Sequence, residues 1–126
     1  MAFDPKAALK DLAGRTPLLG RWMRRREYAK VAQSAAIIRE SGLFEEQWYL
    51  ARYPHTRGTD PVLHYLHHGA AEGLNPNRFF STAKYLKNYP DVVASGANPF
   101  LHYVQRGRFE ERDGMADDYE AWVARY

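Results

Sequence analysis

Between residues 17 and 41 apolar side chains recur every three or four positions, at Leu18, Leu19, Trp22, Met23, Tyr28, Val31, Ala32, Ala35 and Ile38. No proline interrupts the run after Pro17, and Gly42 follows Ser41, so the spacing predicts one long amphipathic helix over residues 17–41. Upstream, Asp4 before Pro5 is a capping signal and Gly14 a stop, which predicts a short helix over residues 5–13. Past Gly42 the pattern breaks into short apolar clusters punctuated by proline and glycine. Nowhere does it settle into the two-residue alternation of a strand, so the fold class expected is all-α.

Those clusters are one unit written twice. Phe44, Trp48-Tyr49-Leu50, Tyr53-Pro54, Asp60-Pro61, Leu63-His64-Tyr65, Gly69 and Glu72 form the first copy. Phe80, Tyr85-Leu86, Tyr89-Pro90, Asn98-Pro99, Leu101-His102-Tyr103, Gly107 and Glu110 form the second. Matched positions lie 36 residues apart in the first half of the unit and 38 apart in the second. The shared residues are those that start, stop and pack helices: Tyr53, Pro54, Pro61, His64, Tyr65, Gly69, and Tyr89, Pro90, Pro99, His102, Tyr103, Gly107. Each copy therefore reads as a short helical hairpin. In the second, Ser81 caps a helix carrying Tyr85, Leu86 and Tyr89, with Pro90 ending it. The other helix of each unit starts at Asp60-Pro61 or Asn98-Pro99 and ends at Gly69 or Gly107. Helices this short depend on burial, here of Leu63, Tyr65, Leu101 and Tyr103.

The expected organisation is a basic helical segment over 1–42, repeat 1 over 43–79, repeat 2 over 80–115 and a helical C-terminal linker over 116–126. Together they make one compact domain, since 126 residues with 45% apolar and 14% aromatic content can bury a single core. Twelve of the aromatic residues fall between Phe44 and Phe109, so the repeats hold most of that core. With no cysteine, disulfide frameworks and thiolate chemistry are excluded. The sequence carries no signal-peptide pattern and no run of roughly 20 apolar residues, so the expected location is cytoplasmic, with peripheral contact to an inner membrane as an option. Charge is uneven. Residues 1–40 hold nine Lys/Arg and four Asp/Glu, whereas residues 41–126 hold nine and eleven.

That asymmetry makes Arg21, Arg24, Arg25, Arg26 and Lys30 the candidates for gripping anionic lipid or phosphate, against the simpler reading of a solvated helix face. No nucleic-acid motif accompanies them, so nucleic acid is not an expected partner. His64, His67 and His68 share one predicted helix at spacings that could bring two imidazoles to a metal. Because His102 stands at the position of His64 without histidine neighbours, a structural role is favoured, and neither a metal nor any other cofactor is expected. Tyr49/Tyr85, Tyr53/Tyr89 and Tyr65/Tyr103 fall where helices must pack, so core outranks sugar stacking for them. Trp48, matched by Lys84, is the aromatic freest to bind a glycan. Glu72 and Glu110 occur once per unit with no second acid at fixed spacing, the pattern of a turn residue and not a catalytic pair.

Tyr53-Pro54 with Asp60-Pro61-x-x-His64-Tyr65 and Gly69-x-x-Glu72-Gly73-x-x-Pro76 resembles a bacterial tandem repeat with the approximate pattern YPDV, G-x-NP-x-x-HY, G-x-x-EGR-x-P. The second copy matches more closely at Tyr89-Pro90-Asp91-Val92 and less closely at Glu110-Glu111-Arg112. His55-Thr56 and Leu74 depart from the pattern, which puts a strict shared role for those positions in doubt. Ile38 to Leu50 and Tyr119-x-x-Trp122-x-x-x-Tyr126 are similar to the segments flanking such repeats ahead of family 2 type glycosyltransferase domains. The resemblance spans residues 38–126. It implies a non-catalytic accessory module in cell-surface polysaccharide, rhamnan-type, biosynthesis, positioning a transferase domain or partner protein, with self-association an option. The chain lacks the nucleotide-sugar fold and acidic metal motif of a transferase, so no enzyme activity is expected of it alone.

Overall fold

The structure is a computed structural model that describes residues 20–116, with side chains from Arg25 onward. It is all-α, as the periodicity implies. Helix α1 spans Gly20–Ser41 and stops where glycine permits a left-handed turn, Gly42 having φ of 71°. Ser41 supports that exit by donating from Oγ to the Ile38 carbonyl and accepting the Leu43 N–H. Ala35 and Ile38 are fully buried, whereas Ala32, counted on the apolar face, is exposed. The expected helix over 5–13, residues 17–19 and the linker beyond Ala116 lie outside the described residues.

Repeat 1 contributes α2 (Glu46–Arg52), a 3₁₀ turn at Pro54–Thr56, and α3 (Pro61–His64), which widens into a π turn at Tyr65–Gly69. Repeat 2 contributes α4 (Thr82–Asn88), α5 (Pro90–Ser95) and α6 (Pro99–Gln105), followed by a 3₁₀ turn at Gly107–Glu110. Caps match the sequence. Ser81 accepts from Lys84 N–H, Asp60 from Leu63 N–H, and Asn98 from both Phe100 and Leu101 N–H. Each cap satisfies an amide that the helix itself cannot.

Two expectations are corrected. Pro90 does not merely end a helix; it occupies the first turn of α5, where its missing N–H costs nothing. The two extra residues of the second unit make α5 a full helix where repeat 1 has a single 3₁₀ turn, so repeat 2 is not a two-helix hairpin. Nor are Gly69 and Gly107 left-handed stops. The positive φ falls at Gly73 and, in the matched place, at Glu111.

Gly69 and Gly107 are needed for space. A Cβ on Gly69 would overlap the Tyr49 hydroxyl, and one on Gly107 the Tyr85 hydroxyl. Each unit then closes on itself by the same bonds: Glu45 N–H to Pro76 O at 3.1 Å, Ser81 N–H to Gly114 O at 2.8 Å.

The repeats meet around Phe100. Its ring lies 6.3 Å from Phe44 and 6.1 Å from Tyr65 in repeat 1, and 5.1 Å from Phe80 in its own unit. Helix α1 packs across the junction, against both α3 and α6. A polar chain crosses it too. The Thr82 hydroxyl donates to Leu74 O at 2.6 Å, so its single proton is spent and the Tyr65 hydroxyl must donate to Thr82 Oγ1 at 2.8 Å. Leu63 is buried as expected, whereas Leu101 and Tyr103 are partly exposed.

Candidate functional site

Each unit repeats one side-chain constellation. In repeat 1 the Tyr49 hydroxyl shares a hydrogen bond of 2.7 Å with His64 Nδ1, while Gly69 presses on the same hydroxyl. In repeat 2 Tyr85 and His102 Nδ1 do the same at 2.7 Å, with Gly107 beneath. Burial pushes the Tyr49 phenol far above its ordinary range and that of Tyr85 up to about 12, so both stay protonated. His64 and His102 are held below the ordinary imidazole value, chiefly by desolvation. These are uncharged pairs. In each unit they fasten the helix that carries the tyrosine to the helix that carries the histidine.

The third shared tyrosine ties the end of the unit back to its start. Tyr53 accepts Asn75 N–H at 2.9 Å, and Tyr89 accepts Asp113 N–H at 2.5 Å. Tyr49 and Tyr85 are fully buried, as is Tyr65, so the packing role expected of these aromatics holds. Pro61 and Pro99 are buried while Pro54 and Pro90 are exposed helix starters.

Around these matched locks the surfaces differ. At the position of His55, repeat 2 has Asp91; at Leu74 it has Arg112; at Trp48, Lys84; and at His68, Arg106. Arg112 pairs with Asp91 at 3.0 Å, lies 3.7 Å from Glu110 and covers the Tyr89 ring at 4.8 Å; Lys84 approaches Asp113 at 3.5 Å. The Arg112 guanidinium accordingly holds the Asp91 carboxyl below its usual range. Repeat 1 has no counterpart to that network. His64 lies 5.7 Å, ring to ring, from both His55 and His68, and His55 is 6.5 Å from Tyr53, itself 6.1 Å from half-buried Trp48.

The structure thus regroups the histidines. His67 stays beside His68, 6.2 Å ring to ring, but turns its Nε2 inward. That Nε2 is buried without a hydrogen-bond partner among the described residues, and desolvation holds the imidazole below its ordinary value. His55, which the sequence shows only as a departure from the repeat pattern, joins the cluster against His64. The signal that could have found it is the alignment of the two copies, which sets His55 opposite an ion-paired Asp91. No three acidic or imidazole groups among the described residues converge as a metal would need. Of the basic run, Arg25, Arg26 and Lys30 are exposed on α1, while Arg21 and Arg24 fall on its first turns, where side chains are not described. Among the described residues no helix is long and apolar enough to cross a membrane.

Fold and constellation define the class: an all-α tandem repeat whose shared tyrosine–histidine pairs serve packing. No family model, curated protein or solved structure matches this chain.

Proposed function

We propose that this chain is a non-catalytic helical module of bacterial cell-surface polysaccharide synthesis that positions a glycosyltransferase domain or partner protein. The observation that carries the reading is the use of the shared tyrosine–histidine pairs and of Tyr53 and Tyr89 to fasten the unit. Tyr49–His64, Tyr85–His102, Tyr53 and Tyr89 are all spent on internal bonds. A unit so built supplies rigid shape. Its free chemistry lies on the surface, where Phe109 is 71% and Val93 57% exposed. Both stand in repeat 2, at positions where repeat 1 has Ala71 and Arg57, so the apolar surface is particular to one unit. The polysaccharide context comes from the resemblance of residues 38–126 to repeats ahead of transferase domains.

A photo-crosslinking residue placed at Phe109 or Val93, in cells that express the protein, tests this. The expected product is a crosslink to a sugar-nucleotide-dependent transferase, weakened when the other apolar residue is made aspartate. Crosslinks only to proteins outside glycan synthesis would refute it.

A further inference from the structure

Repeat 1 and repeat 2 offer the same stretch of surface with opposite chemistry. In repeat 2 it is closed by internal ion pairs, Arg112 with Asp91 and Lys84 with Asp113. In repeat 1 the matched stretch is a continuous string of rings, Trp48, Tyr53, His55, His64 and His68, each 5.7 to 6.5 Å from the next. The Arg52 guanidinium lies 5.5 Å from the Tyr53 centroid. Among the described residues the Trp48 indole N–H and the side chains of His55 and His68 have no hydrogen-bond or ion-pair partner. Glu72 is the one carboxylate acting on His64. Unused donors, ring faces and the Arg52 guanidinium therefore occur together.

We propose that this strip is a binding site for an acidic saccharide, its sugar faces resting on Trp48 and Tyr53 and its carboxylate received by His55, His64 and His68. An aromatic ring accepts the C–H face of a pyranose, and the nearby N–H groups fix its hydroxyls and charge. A bare phosphate would leave Trp48 and Tyr53 unused. A metal ion is disfavoured by the lack of converging donors. The Tyr49 hydroxyl, by holding His64 Nδ1 at 2.7 Å, leaves Nε2 as that ring's free nitrogen. Repeat 2 retains the lock but has exchanged the strip for salt bridges, which assigns binding to one unit.

The test is an NMR titration of the full chain with tetragalacturonate in EDTA-containing buffer, with maltotetraose and inorganic phosphate in parallel. The expected result is a set of shifts confined to the strip, larger with the acidic sugar than the neutral one, and absent with phosphate. Replacing Trp48→Lys and His55→Asp copies repeat 2 into repeat 1. It should weaken binding by about tenfold or more while the repeat 2 resonances stay in place. Silence at millimolar sugar overturns the site, as does equal binding by the double variant, by maltotetraose or by phosphate alone. Because the isolated chain is titrated, failure here leaves the crosslinking result untouched.

Discussion

The most exacting contact in the molecule is a glycine under a tyrosine oxygen, and the repeat supplies it twice. Gly69→Ala or Gly107→Ala would drive a methyl group into the Tyr49 or Tyr85 hydroxyl. Each should cost about 1–3 kcal/mol in urea unfolding, the usual range for overpacking. Adding Tyr49→Phe to Gly69→Ala should restore part of that loss, because the atom in the way is removed; strict additivity of the two changes would argue against the contact. The histidines give a second test at this scale. His64, His67 and His102 have native pKa values below 6.5, so between the native values and 6.5 the unfolded chain binds more protons. Stability is therefore complete above 6.5 and falls as pH is lowered through that window. Urea midpoints at pH 7.5 and 5.5 should differ in that sense, and a flat profile would contradict burial of neutral imidazoles. The locks themselves were half legible: the sequence showed His64 and His102 to be equivalent and structural, but not that Tyr49 and Tyr85 are their partners. Those tyrosines precede the histidines by 15 and 17 residues, and only folding of the two helices against each other brings the pairs together.

At the scale of elements, short helices live by their ends. Asn98 satisfies two amides at the start of α6, so Asn98→Ala should lower stability by about 1 kcal/mol. Asp60 caps α3 and also pairs with Arg39 of α1, so Asp60→Ala should cost more than Asn98→Ala. Thermal melts of the two variants compare them directly. These caps were readable because an Asx-Pro dipeptide carries both the side-chain acceptor and the fixed φ. Helix α5 was not readable as a helix. A proline after an aromatic helix end marks a stop and a start with the same residue, and Tyr89, at φ −128° and ψ 78°, is the hinge that makes both true.

The whole molecule is held by what crosses between the repeats. Phe100 replaces Val62 of the first unit and touches both halves, and Thr82 bridges Tyr65 to the Leu74 carbonyl. Thr82→Val keeps the shape but removes the acceptor of the buried Tyr65 hydroxyl proton and the donor to the Leu74 carbonyl, which should cost about 1–3 kcal/mol. Hydrogen exchange should then show the two units opening with different free energies where the wild type opens as one. If exchange remains uniform, the bridge is not what couples them. Helix α1 spans the same junction, so Ile38→Ala should destabilise both units together, by about 2–5 kcal/mol.

The sequence alone determined that the chain is helical, that a unit occurs twice, and which prolines, caps and aromatics build it, because these follow from local backbone preference and spacing. It also marked His64 and His102 as equivalent, structural positions, by their recurrence. The tertiary structure alone decided which side chains meet. It turned His67 inward, brought His55 beside His64, made Gly69 a matter of space instead of φ, and set an ion-paired surface on one unit against a ring-lined surface on the other. Those facts depend on distances between residues far apart in the chain, and local spacing carries no information about them until the helices pack.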